Sequence, residues 1–303
     1  AGWEDTTTQT GFMNWDNQSI KARTVVEVIG VQEGGNFIVT ALPGRPCIHR
    51  GGGTGGTGGA VYVFPGANST NYFINCHFEG NYTKAGASCI VANPSVWTGQ
   101  NNTDTLSMWM NSWGLVLENC TFVSNRTDAL VKGIGGVVRG RVLRAENCTF
   151  RENYSGGYYG AVLTGGEDDD TYYAAYRTLL PETNYIVNCT FVSNRSDGVS
   201  AGYNPGGYAK SVVSNCTFFA NEASNAVAIC TRRSSMALKH TSSLQENHKT
   251  ASCLELVLTG CRFEKNKATS TPTWSESAGD SYRYQDGIAL ANKYTKLTVE
   301  NCR

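Results

Sequence analysis

Neither sign of charge is in surplus in this chain: 25 Lys and Arg balance 25 Asp and Glu over 303 residues, with no basic cluster able to neutralise a row of phosphates. Nucleic acid is therefore not an expected partner. No run of 18 apolar residues occurs, so no helical membrane span is expected. The four histidines, His49, His77, His240 and His248, are scattered, and no Cys-x-x-Cys pair exists, so no metal site and no cofactor are expected. Charged residues make up only 17% of the chain, and Leu, Glu and Lys are sparse over long stretches, so helix should be minor. A chain that starts at Ala1 rather than Met is expected to be processed or partial.

What the sequence does contain is one short phrase, hydrophobic-x-[Asn/Gly]-Cys-x-Phe-x-x-Asn. It occurs six times, around Cys76, Cys120, Cys148, Cys189, Cys216 and Cys261, and begins a seventh time at Cys302 before the sequence stops at Arg303. The spacings between these cysteines, 44, 28, 41, 27, 45 and 41 residues, are irregular while the phrase is not. Fixed strands separated by variable loops follow. Cys and Phe at i and i+2 share one strand face, whereas the apolar residue three before each Cys breaks that alternation. The chain must therefore bend at the Asn or Gly before the Cys. Small-then-branched runs such as Gly59 to Val63 (GAVYV), Gly160 to Leu163 (GAVL) and Asp286 to Leu290 (DGIAL) add further strands, giving two or three per coil. Arg23 to Val31 and Asn36 to Ala41 also read as strands.

Identical residues at equivalent places in short strands fit an all-β solenoid whose like strands stack in parallel. The phrase resembles the repeat of polymorphic-outer-membrane-type surface proteins, within the pectin-lyase-like superfamily. That resemblance covers roughly residues 55–303 and implies a right-handed parallel β-helix with loop insertions on one side. Residues 1–54 lack the phrase and are expected to be the first coils or an N-terminal cap. The fold hosts lyases, hydrolases, adhesins and filament subunits, so it does not itself assign an activity.

Seven of the eleven cysteines belong to the phrase, and Cys76, Cys120, Cys148, Cys189, Cys216 and Cys261 are read as a buried ladder of small hydrophobes. Equivalent side chains about 4.8 Å apart lie outside the separation a disulfide prefers. Cys47, Cys89, Cys230 and Cys253 are off the phrase, and a Cys230–Cys253 disulfide would close the polar insert between them. Eleven Asn-x-Ser/Thr sequons are present. Asn119, Asn147, Asn188 and Asn215 sit at the bend before Cys and are the favoured N-glycan sites, with Asn17, Asn68 and Asn101 as further candidates. Asn81, Asn125, Asn153 and Asn194 recur five after Cys, a place that Asn221 and Asn266 fill without a sequon. An internal amide ladder accounts for all six and is preferred there to glycosylation.

Catalysis finds little support. The acidic run Glu167-Asp168-Asp169-Asp170 reads as a solvated loop sooner than as an acid–base pair. Asn102-Thr103-Asp104 is similar to the Asn-Thr-Asp of polygalacturonases, but their companion motifs are missing. Gly51 to Gly59 lacks the Lys-Ser/Thr of a phosphate loop and reads as a flexible or tightly turning connector. The expectation is an extracellular structural glycoprotein, self-associating head to tail into a surface filament or coat. A glycan-binding adhesin and a polysaccharide lyase or hydrolase are the alternatives. The truncated seventh phrase, carrying no cap, is the sequence feature behind the end-to-end expectation.

Overall fold

The structure is a computed structural model that describes residues 26–28, 37–40, 47–50, 53–54, 60–63, 70–83, 87–92, 114–128, 136–140, 142–156, 161–164, 183–197, 200–205, 210–223, 227–231, 255–269, 290–291 and 296–303. These residues form four parallel sheets of eight, eight, seven and seven strands, here numbered I to IV in the order the chain visits them. One coil takes the strands Ala87–Ala92, Gly114–Glu118, Thr121–Val123 and Arg126–Thr127 through sheets I, II, III and IV. The next coil repeats them in register, with Leu117 against Ala145, Phe122 against Phe150 and Thr127 against Ser155. The architecture is a parallel β-helix.

The coil has four strands rather than two or three because the phrase is broken twice by residues of positive φ. The first break is the residue before Cys: Asn75, Asn119, Asn147, Asn188, Asn215, Gly260 and Asn301, with φ between 51° and 64°. Left-handed backbone costs an ordinary L-residue about 1–2 kcal/mol, and Gly and Asn least. That cost explains the Asn/Gly alternation at this place. The second break, at Gly80, Ser124, Glu152, Ser193, Ala220 and Lys265, has the same geometry without the same residue preference. Here the neighbouring coil holds the conformation: the Ser124 N–H, for example, donates to the Arg151 carbonyl at 3.0 Å.

Two readings of the N-terminal part change. Cys47 is not off the phrase, since the strand Cys47–Arg50 places it opposite Cys76, with His49 opposite Phe78. Gly51 to Gly59 is not merely a connector, because Gly53 and Thr54 form a strand against Tyr82 and Thr83. Residues 26–54 thus contribute a strand to each of the four sheets. Of the longest stretches outside the described residues, 93–113, 165–182 and 232–254 join sheet I to sheet II, and 270–289 joins sheet IV to sheet I.

Three apolar columns of the phrase pack in the interior against buried sheet I residues such as Ile90, Val138, Leu163 and Ile229. Phe78, Phe122, Phe150, Phe191, Phe218 and Phe263 stack with centroids 4.7–5.1 Å apart and ring planes within 4°. Each fully buried Phe supplies about 1.5–3 kcal/mol of hydrophobic stabilisation. Phe73, Leu117, Ala145, Ile186, Val213 and Leu258 form the second column, from sheet II. The cysteines form the third. Cys76, Cys120, Cys148, Cys189, Cys216 and Cys261 are buried, and each thiol donates to a carbonyl of the preceding coil, as Cys120 does to Phe73 at 3.2 Å and Cys261 to Val213 at 3.3 Å. No disulfide joins any of the cysteines whose side chains are described. Cys230 lies buried in the strand Ile229–Cys230, while Cys253 falls outside the described residues, and the expected pairing with it.

Candidate functional site

The asparagines of the phrase divide into an inner and an outer column. Asn81, Asn125, Asn153, Asn194 and Asn221 are buried and Asn266 half-buried. Each side-chain N–H group donates to the Oδ1 of the next coil, at 2.9 Å from Asn81 to Asn125 and 3.0 Å from Asn125 to Asn153, Asn153 to Asn194 and Asn221 to Asn266. The second amide hydrogen bonds the Phe carbonyl of the preceding coil, as in Asn153 to Phe122 at 2.9 Å. Each Oδ1 also accepts the backbone N–H of the Asn below, so Asn153 holds Asn125 at 3.0 Å. Amide donors and acceptor are thereby both used, in a site that water and sugar do not reach.

Asn119, Asn147, Asn188 and Asn215 make the outer column. All four are exposed, and their bends stack coil on coil, the Asn147 N–H donating to the Val187 carbonyl and the Asn188 N–H to that of Ser214, both at 3.0 Å. One pair of their amides is hydrogen-bonded, Nδ2 of Asn188 donating to Oδ1 of Asn147 at 3.2 Å. Asn17, Asn68 and Asn101 lie outside the described residues.

A second exposed feature went unnoticed in the sequence. The two-residue strands of sheet IV align Tyr82, Arg126, Tyr154, Arg195, Glu222 and Lys267. Asp128 accepts from the Tyr82 hydroxyl at 2.7 Å and from Arg126 Nε at 2.6 Å, and Asp197 accepts from Tyr154 at 2.6 Å. The Arg126 guanidinium lies 4.8 Å from the Tyr154 ring centre, within cation–π range. Partial burial, together with the bond to Asp197, pushes the Tyr154 phenol up to about 12. An open groove of about 460 Å³ runs here, lined by Arg126, Glu152, Asn153, Tyr154, Ser193 and Arg195. The signal available in the sequence is the residue after each ladder Asn, where Tyr and Arg alternate from Tyr82 to Arg195 and Glu222 and Lys267 follow.

No arrangement for acid–base chemistry assembles from the described side chains. His77 meets Glu79 at 3.3 Å on the surface. Asp168, Asp169, Asp170 and the Asn102 to Asp104 segment fall outside the described residues. Among the described residues no group of His, Cys, Asp and Glu converges to hold a metal ion, and no helix is long and apolar enough to cross a membrane.

The family model described as "right handed beta helix region" matches residues 133–303. That span exceeds half the chain, and the chain belongs to this family of right-handed parallel β-helices. No curated protein and no solved structure matched it.

Proposed function

We propose that the protein is an extracellular structural glycoprotein whose coils join end to end into a cell-surface filament or coat. The observation that carries this reading is the in-register stack of sheet II: Val213, Leu258 and Val299, the last in the strand Lys296–Glu300, take one register on successive strands, and each strand pairs in parallel with its neighbour. A parallel sheet built this way can accept a further strand of the same kind. The first coil of a second copy would extend sheet II and the Cys column, Cys47 taking the Cys place, a heterologous contact that propagates. The resemblance to polymorphic-outer-membrane-type repeats, which rests on the phrase, and the four exposed sequons support a surface location. The β-helix fold carries enzymes as well as non-enzymes, and the non-enzymatic role is part of this proposal.

The test is the assembly state of the native molecule by mass photometry and negative-stain microscopy. Linear oligomers that grow with concentration, and that vanish in a Val299→Lys variant, are expected. A monomer at every concentration, with another segment of its own chain covering Val299, overturns the reading. A second reading, a glycan-binding adhesin, is favoured by the Tyr154 groove with its flanking Arg126 and Arg195. Loss of glycan-array binding on Tyr154→Ala would support it.

A further inference from the structure

We infer that sugars on neighbouring coils of the outer Asn column exclude one another, so that a folded molecule carries at most two N-glycans among Asn119, Asn147, Asn188 and Asn215, with Asn215 favoured. The inference rests on the glycoprotein reading above. Equivalent atoms of successive coils are separated by one strand spacing, and the Phe rings beneath the column lie 4.7 to 4.8 Å apart from Phe122 through Phe218. An N-glycan is attached through Nδ2, and that atom of Asn188 already lies 3.2 Å from the Asn147 amide. A pyranose bearing an N-acetyl group, followed by a branched core, is far bulkier than the gap to the next coil.

The side chains cannot fan apart by adjusting their backbones. Asn119, Asn147, Asn188 and Asn215 share φ between 51° and 53°, and each is hydrogen-bonded to the coil above, so they leave the surface in parallel. The surroundings of Asn215 differ. The next coil has Gly260 at this place, with φ 64°, and a Cβ there would come within 2.6 Å of Asn215 Oδ1. The coil after Asn215 thus sets no side chain against its amide, whereas Asn119, Asn147 and Asn188 are each followed by another Asn, and a sugar on Asn215 has one neighbour fewer. Compatible pairs are Asn119 with Asn188, Asn119 with Asn215, and Asn147 with Asn215. Because the oligosaccharide is transferred to chains that are still unfolded, neighbours can both be modified at first. Such molecules must break the stacked bends to fold, and the folded, secreted fraction is depleted of them.

Cleavage after glutamate reads the key pair directly, because Glu182 and Glu222 bracket a fragment, 183–222, that contains both Asn188 and Asn215 and no internal Glu. The full chain is made in a eukaryotic secretory host, the protease-resistant folded fraction is isolated, and sugars on this fragment are counted after trimming each to one residue. Enzymatic deglycosylation in heavy-oxygen water marks the site. One sugar per fragment, mainly on Asn215, is the expected result. Fragments from folded protein with sugar on both Asn188 and Asn215 overturn the inference. Absence of sugar from all four positions removes the glycoprotein reading and this inference with it, which separates the two failures. Thr190→Val abolishes the Asn188 sequon while keeping the Asn that the left-handed bend needs; occupancy of Asn147 and Asn215 should then rise, and no change at either counts against exclusion.

Discussion

Replacing Asn153 by Ala tests whether the inner amide column holds the coils together. Asn153 lies at the middle of the column and is 1% exposed. Its Oδ1 accepts from the Asn125 backbone N–H and from Asn125 Nδ2, both at 3.0 Å, and its own amide donates to Phe122 O at 2.9 Å and to Asn194 Oδ1 at 3.0 Å. Alanine removes all four bonds at once. The Asn125 backbone N–H loses its acceptor inside the protein, which costs about 1–3 kcal/mol, and the remaining bonds add roughly 0.5–1.5 kcal/mol each, less what relaxation recovers. A loss of about 3–5 kcal/mol is expected in urea-induced unfolding, read from the shift of the midpoint at unchanged slope. The same change at Asn266, which is half-buried, should cost less. A loss below about 1 kcal/mol at Asn153 would show that the column is tolerated rather than required, and the reasoning would fail.

Gly202→Ala should destabilise as strongly as a core truncation, because the new Cβ would sit 2.2 Å from the Ala228 carbonyl and 2.9 Å from the Phe218 ring; thermal unfolding within a degree of the parent would refute this. Thiol labelling of the native protein should begin at half-buried Cys302 and leave Cys89 and Cys148 untouched until unfolding, since burial holds the Cys89 thiol well above its usual value and hydrogen bonding with Cys120 and Cys189 does the same for Cys148. Coil-to-coil disulfides in peptide maps would contradict the column. Tyr154, whose folded pKa is raised from 10.0 to about 12, adds stability that is complete below pH 10 and is lost as pH rises toward 12. Subtracting the phenolate absorbance titration of a Tyr154→Phe variant isolates this group; a midpoint near 10 would exclude the Asp197 contact.

The parts of the fold legible in the sequence are those where one residue type answers one physical demand. Phe, Cys and the inner Asn recur because a parallel stack puts identical side chains on top of one another, and only some side chains gain from that. The first bend is visible in the sequence as Asn or Gly, a choice that suits a displayed side chain as well as left-handed backbone. The second bend was invisible, because Ser124, Glu152, Ala220 and Lys265 have no shared signature and are held by bonds from the next coil. Cys47 was missed for a related reason: His49 stands where the phrase has Phe, and only the register with Cys76 reveals the coil. The Tyr–Arg column escaped notice because neighbours in it come from residues 27 to 45 apart, a distance set by loops of no fixed length. Asp168 to Asp170 and the other candidates outside the described residues stand as the sequence alone presents them.

The inner asparagines also give the stack a direction. From Asn81 to Asn221 each side-chain amide gives one N–H to the Oδ1 of the later coil, and from Asn125 to Asn266 each Oδ1 accepts from the earlier coil, while the other N–H of Asn125 to Asn266 turns back to a Phe carbonyl. Six aligned amide dipoles therefore add, as peptide dipoles do along a helix, and the positive pole lies at the Asn266 end. Copies stacked head to tail, as proposed above, would keep these dipoles parallel. Two identical ends brought together would oppose like poles. Any fibre built in this way would be polar, with chemically distinct tips.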